Sequence, residues 1–260
     1  MAEALWTGVA QAYARSFAGL CAGAIPTMLA GLPAGSRVLD IGCGPGALAA
    51  AARDASLDVV AVEPDPEMAA LASRRLGQDV VVAGLPDLPL ASGGFEAVLV
   101  NFVLNHVDNP AAAAHEVVRM AAPGGLVRAT IWTSAPSAQG QLFRSVLEAS
   151  GAVEPVFPRL ADGVDFERSP DGLGMLLAAA GARVTDARMV DWVWRVAPDD
   201  FWAAPTGGVG GLGVAWSAQT PEVRDRMRVE LDRLSEPLQE DGLIVLPATA
   251  AYVEARVPRS

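Results

Sequence analysis

This sequence predicts an α/β fold: a doubly wound, mostly parallel, seven-stranded sheet with helices on both faces. Two observations and one packing rule carry the prediction. From Arg37 onward, short apolar runs bounded by Gly and Pro alternate with segments of helical periodicity. Strands that alternate with helices build parallel sheets through right-handed crossovers. The chain of 260 residues, 52% apolar and 19% charged, is rich enough in apolar side chains to fill one large core.

Taken in order, residues 1 to 30 read as one or two helices, with Leu5, Val9, Tyr13 and Phe17 at helical spacing, ended by Pro33 and Gly35. "RVLDIG", "DVVAVE" and "DVVVAG" then read as strands separated by the helices "GALAAAARDA" and "DPEMAALASRRL". The loop "LPDLPLASGG", Leu85 to Gly94, precedes the strand "FEAVLVNFV". Helix "NPAAAAHEVVRMA", the turn "PGG" and a fifth strand, "LVRATIW", follow. A helix is expected near residues 139 to 149, a Pro-rich loop to about residue 165, and a helix from Gly172 to Gly181 leading into the strand "RVTDARMV".

The pattern changes between Asp191 and Gly242, where Trp192, Trp194, Phe201, Trp202 and Trp216 gather around "TGGVGGLG", read as flexible. A helix opens there with Thr220 as N-cap and Pro221 in its first turn. Its apolar face is Val223, Met227, Leu231 and Leu234. "ATAAYVEARV" closes the sheet.

With 30 acidic and 19 basic residues the net charge is −11, which repels nucleic-acid phosphates in the absence of a basic patch. The two cysteines, Cys21 and Cys43, form neither a disulfide framework nor a zinc motif, so no metal is expected. No apolar run reaches the roughly 20 residues that cross a bilayer, and the N-terminus lacks a basic start. A single cytoplasmic domain follows as the expectation, acting on a small molecule and without nucleic acid or membrane as partner.

The informative stretch is "VLDIGCGPG", Val38 to Gly46: an apolar strand, a turn that requires unusual backbone angles, then a helix start, an arrangement that presents backbone N–H groups to a ligand. Gly42, Gly44 and Ala47 satisfy the dinucleotide pattern G-x-G-x-x-G/A, so a nicotinamide cofactor competes here. Against it, the carboxylate of Asp40 opposes a pyrophosphate and favours a cationic ligand. Glu63 follows Gly44 by 19 residues, where a carboxylate accepts from both hydroxyls of a ribose in either kind of nucleotide.

In this order, "VLDIGCGPG", "AVEPDPEM", "LPDLPLASGGFEAVLVNFVLNHV" and "RMAAPGGLV" resemble the class I S-adenosylmethionine (SAM)-dependent methyltransferases of the ubiquinone/menaquinone-biosynthesis-like group. The resemblance is strong over roughly residues 10 to 132. It implies a Rossmann-like fold, SAM as methyl donor and S-adenosylhomocysteine as product. It implies that Gly42, Cys43 and Gly44 pass under the methionine part, with Asp40 organising its ammonium. It implies further that Glu63 holds the ribose diol, that Pro64 and Met68 pack on adenine, that Gly84 and Leu85 lie at the adenine edge, and that Asn101 and Phe102 touch the methionine portion. Tyr13 reads either as a closing contact on the carboxylate or as helix packing, and Met68 either as core or as an adenine contact. Many relatives place Asp-Ala where this chain has Gly84-Leu85, so the usual side-chain contact to the adenine amino group is missing.

Methyl transfer from a sulfonium needs positioning above all, and a base only when the acceptor must lose a proton. His106, in "LNHV", is the candidate for that base, with an ordinary pKa near ~6.5; a backbone-bonded histidine that shapes the loop is the alternative. His115 lies mid-helix among alanines and reads as surface or packing. "NFVL" departs from the N-P-P-Y type of signature linked to methylation of base or glutamine amino groups. The tryptophans suggest an apolar or ring-containing acceptor, with Trp6, Phe17, Asn105, Trp132, Trp192, Trp194 and Trp202 as candidate pocket residues; the alternative is that the rings only seat the insertion. The expected layout is a helical lid over residues 1–35, a SAM-binding core over 36–135 and an acceptor-pocket insertion over 191–245. A dehydrogenase, or a SAM-binding protein that does not methylate, are the competing functions, and a monomer and a homodimer fit equally.

Overall fold

The computed structural model describes residues 6–154 and 164–259. The N-terminal region is three short helices, α1 (Ala10–Arg15), α2 (Phe17–Ala22) and α3 (Ile25–Leu29). Between the first two, Ser16 leaves helical geometry (φ −106°, ψ −95°) and its hydroxyl donates to the Ala12 carbonyl at 2.6 Å. Then come β1 (Arg37–Ile41), α4 (Ala47–Asp54), β2 (Asp58–Glu63), α5 (Pro66–Leu76), β3 (Val81–Val82), β4 (Phe95–Asn101), α6 (Pro110–Met120) and β5 (Ala121–Ile131). The second half holds α7 (Ala138–Ser150), α8 (Pro170–Ala179), β6 (Arg183–Val196), α9 (Pro198–Thr206), α10 (Gly210–Ser217), α11 (Pro221–Ser235), β7 (Gln239–Glu240) and β8 (Leu243–Arg256).

The sheet order is β3-β2-β1-β4-β5-β8-β6, with the two-residue β7 added against β8. Neighbours from β3 to β5 are parallel, and β8 runs antiparallel to both β5 and β6. Seven strands thus form the continuous sheet, and the eighth is a short attachment. Alternation along β1 sends Leu39 and Ile41 into one core, which includes Val117, Met120, Leu173 and Leu177. Val38 faces the opposite core, with Met28, Leu48, Ala49 and Leu99. The predicted N-cap forms: Thr220 Oγ1 accepts from the Val223 N–H at 3.4 Å, and Pro221 follows it.

Two expectations change. Strand β6 runs six residues past Val190, because Val190, Trp192, Trp194 and Val196 keep the period of two and are all turned inward. Paired with Ile244–Ala250 of β8, this extension forms a ribbon beyond the end of β5. Its inner face joins Phe201, Met227, Leu231, Phe143 and Leu147 in a separate cap core. Second, "TGGVGGLG" includes the start of a helix. A Cβ at Gly213 would lie 2.1 Å from the Gly208 backbone, so glycine serves close packing there rather than freedom. Among the described residues no helix is long and apolar enough to cross a membrane.

Candidate functional site

Asp40 and the glycine turn lie where β1 ends against its parallel neighbours, the place at which open α/β sheets bind ligands. The turn is made of left-handed residues: Gly42, Gly44 and Gly46 have φ of +68°, +54° and +83°. At Gly46 a Cβ would approach the Ala72 backbone to 3.1 Å, so α4 can meet α5 only through glycine. Two N–H groups of the turn, those of Gly42 and Cys43, donate to the Val62 carbonyl at 2.8 and 3.0 Å. The Gly44 N–H donates to Glu63 Oε2 at 2.8 Å, and the Asp65 N–H to Glu63 Oε1 at 3.1 Å. Each Glu63 oxygen therefore keeps lone-pair capacity for a further donor.

Asp40 is 1% exposed, and its Oδ2 has no hydrogen-bond partner among the described residues. Burial raises its pKa to about 7, and the Glu63 carboxylate adds to the rise against the opposing effect of the Ala49 N–H. Burial likewise raises Glu63, with the Asp65 and Gly44 N–H groups pulling the other way. A small cavity of about 40 Å³ touches Asp40, Gly42, Cys43, Gly44 and Asn101 below and Tyr13, Ala18, Cys21, Ala22 and Ile25 above. None of its lining residues is basic. An unpaired buried carboxylate in a site without Lys or Arg suits a ligand ammonium and disfavours a diphosphate.

The upper side is the N-terminal region. Tyr13 passes above Gly44, its ring 3.5 Å from where a Cβ would be, and its hydroxyl donates to Cys21 Sγ at 3.4 Å. Burial raises the Tyr13 hydroxyl well above its ordinary value and the Cys21 thiol to about 11, so both are protonated at neutral pH. Asn101, ending β4, ties the two sides together. Its Nδ2 donates to the Cys21 carbonyl at 3.2 Å, and its Oδ1 accepts from Thr130 Oγ1 at 2.6 Å. Cys43 is buried and contributes size and backbone, its thiol pushed up by burial.

On the side of the adenine expectation, Pro64 is exposed, and a Cβ on Gly84 would stand 3.0 Å from its Cβ, so the loops after β2 and β3 touch. Leu85 packs partly against the main core. Met68, 3% exposed, packs with Val9, Ala10, Ala204 and Val209.

On the opposite side, Phe102 takes φ +60° and stacks on Trp132 at 4.1 Å between centroids, with Trp192 at 6.2 Å from Phe102 and 5.9 Å from Trp132. Trp6 meets Tyr13 at 5.5 Å and His106 at 5.1 Å, both edge to face. Asn105 Nδ2 stands 3.3 Å from His106 Nε2. Burial lowers the His106 pKa to about 4, with the Arg168 charge adding. Phe17 and Trp194 stack at 5.5 Å beside Phe201 inside the cap core. Trp202 stands apart from the crevice: it packs edge to face on Trp216 and lines a surface groove between α1, α9 and α11, with Gln11 and Arg228.

Several residues here escaped the sequence reading. Thr130, fully buried in the strand, was visible beside Arg128 as one of two polar residues in "LVRATIW". Gly19 and Gly23, four apart on and just past α2, face Trp194 and Trp192; a Cβ at Gly23 would fall 2.0 Å from Trp192 Cδ1. Their spacing was legible, but their partners were not.

This sheet order is the Rossmann-like α/β arrangement shared with solved methyltransferase structures. Residues 39–129 match the methyltransferase domain family. An uncharacterised methyltransferase of Mycobacterium sp. (strain JLS) is 41% identical over 103 residues, 38% of this chain and 41% of that one. The malonyl-[acyl-carrier protein] O-methyltransferase of Enterobacter lignolyticus (strain SCF1) is 38% identical over 106 residues, 40% of this chain and 42% of that one. The aligned part thus spans about two-fifths of these relatives. A solved structure of a SAM-dependent methyltransferase from Thermotoga maritima superposes with a TM-score of 0.54 at 18% identity, covering 94% of this chain and 93% of that one.

Proposed function

We propose that this protein transfers the methyl group of SAM to a small, ring-bearing metabolite. The observation that carries the reading is the orphaned carboxylate oxygen of Asp40 beside the glycine turn, in a cavity lined by no basic residue. The residues present fit the donor. Asp40 would pair with its ammonium, Glu63 would accept from the ribose hydroxyls, and the Gly42–Gly44 backbone would run beneath the methionine portion. Pro64 and Gly84 would border adenine, with backbone groups or water in place of the missing side-chain contact.

When bound, the donor supplies a methyl group on a cationic sulfur. The chain's part is to hold the acceptor atom about 3 Å from that methyl in line with the breaking bond and to exclude water, an effect worth roughly 7 to 11 kcal/mol. With a pKa near 4, His106 is neutral and weakly basic at pH 7. We assign it a positioning role in the acceptor loop.

Residues 1–35 act as a lid in this reading, 36–135 as the donor-binding core, and 191–245 as the insertion that builds the acceptor side. A cavity of about 40 Å³ is far below the ~300 Å³ or more of small-molecule sites, which supports a lid that lifts for donor entry. The net charge of −11 supports a small-molecule acceptor over a nucleic acid.

The test is incubation with methyl-labelled SAM and a metabolite library. S-adenosylhomocysteine and a labelled product are expected. Binding of SAM with no transfer to any acceptor, across a library that includes ring compounds, would replace this reading with a SAM-binding protein of other function.

A further inference from the structure

Thr130 is fully buried near the carboxyl end of β5, and its register partner across the parallel ladder is Asn101, the last residue of β4. A buried hydroxyl has to find partners, and this one has two. Its oxygen accepts from the Phe102 N–H at 3.1 Å, a group that also donates to the Thr130 carbonyl at 3.1 Å. Its hydrogen goes to Asn101 Oδ1 at 2.6 Å. Phe102 is held at φ +60°, a conformation that costs energy for an aromatic residue and persists where the surroundings enforce it.

These bonds decide which way the Asn101 amide faces. With Oδ1 committed to the hydroxyl, Nδ2 is turned to the roof, where it donates to the Cys21 carbonyl of α2 at 3.2 Å. A carbonyl can only accept, so the reversed amide would set oxygen against oxygen there. An amide nitrogen carries two hydrogens, and Cys21 takes one. Asn101 also lines the cavity that holds Asp40 and no basic residue. The amino-acid end of a donor brings an ammonium and a carboxylate; Asp40 suits the first and repels the second, so the carboxylate needs a neutral hydrogen-bond donor. The Tyr13 hydroxyl spends its one hydrogen on Cys21 Sγ, and the Gly42, Cys43 and Gly44 N–H groups are spent on Val62 and Glu63. Asn101 keeps a hydrogen among the described residues.

We propose that Thr130 is a positioning residue for the methyl donor: its hydroxyl holds the Asn101 amide so that one hydrogen fastens α2 over the cavity and the other meets the donor's carboxylate. Roof and donor are thereby joined by one side chain. The inference rests on the methyltransferase reading and adds a residue to it.

The test is a double-mutant cycle on S-adenosylhomocysteine binding, measured by calorimetry in the wild type, Thr130→Val, Asn101→Ala and the pair. Valine keeps the shape of threonine and removes the hydroxyl. Thr130→Val should weaken binding about 10-fold, Thr130→Ser should stay within about 3-fold of the wild type, and the valine should cost no more than about 2-fold once Asn101 is alanine. A merely structural Thr130 gives the same loss in both backgrounds. That additive result, no loss in Thr130→Val, or failure of serine to restore binding overturns the inference. A second readout needs no variant: alkylation of Cys21 by iodoacetamide, followed by peptide mass, should slow at least about 5-fold when the wild type is saturated with S-adenosylhomocysteine, and an unchanged rate overturns the inference as well. Failure of S-adenosylhomocysteine to bind the wild type at all overturns the methyltransferase reading, whereas tight binding with an additive cycle removes only the role of Thr130.

Discussion

Asp40 has a raised pKa of about 7 because it is buried without a partner for Oδ2. In the unfolded chain an aspartate ionises near ~3.9, so between about pH 4 and 7 the folded protein holds a proton that the unfolded one has lost. Its contribution to stability is therefore present at low pH and is lost as pH rises through 7. Donor binding runs the other way, since the ammonium needs the carboxylate. Calorimetric titration of SAM should show affinity rising about tenfold per pH unit up to pH 7 and levelling above it, with uptake of the donor accompanied by proton release below pH 7. Asp40→Asn should bind more weakly and lose this pH dependence. His106 gives a second residue-scale prediction. Its pKa of about 4 leaves it neutral across pH 5 to 8, so His106→Gln should keep kcat within about 10-fold, whereas a true general base contributes roughly 10²- to 10⁴-fold. Once an acceptor is in hand, steady-state kinetics at pH 6, 7 and 8 checks this.

At the scale of elements, the N-terminal helices meet the β6–β8 ribbon through Gly19 and Gly23. Gly23→Ala improves helix propensity, but its methyl would fall 2.0 Å from Trp192 Cδ1. Because that atom belongs to a packed indole, α2 has to shift. Differential scanning calorimetry should find the variant less stable by about 1 to 3 kcal/mol, the usual cost of overpacking. An unchanged Tm would mean that α2 is not seated on Trp192. Elements also mark where sequence reasoning stopped. The βα units from Arg37 to Trp132 were legible because each strand and helix carries its own period and breakers, and the donor-side residues fall at their junctions. The cap was less legible. Its helices α9 and α10 are short, with Pro205 inside one and glycines in the other, so local chemistry spelled loop where packing imposed helix. The packing partners of Met68, Ala204 and Val209, were not legible from its helical spacing, since they lie far along the chain.

The whole molecule combines a sheet that places carboxylates from β1 and β2 at one end, a cap core raised on the β6–β8 ribbon, and helices α1–α3 between them. The sequence order of motifs pointed to this sheet, but no local pattern could disclose that α2 roofs the turn after β1 and touches Trp192, a contact across more than 160 residues of chain. The central claim is that the crevice accepts an adenosyl group joined to a cationic amino acid rather than a dinucleotide. Thermal denaturation with each cofactor tests it most directly, because a ligand that binds only the native state stabilises by about 2.7 kcal/mol at 100 times its Kd. SAM or S-adenosylhomocysteine should raise Tm in a concentration-dependent way while NADH leaves it unchanged. A rise with NADH and none with SAM would contradict the account.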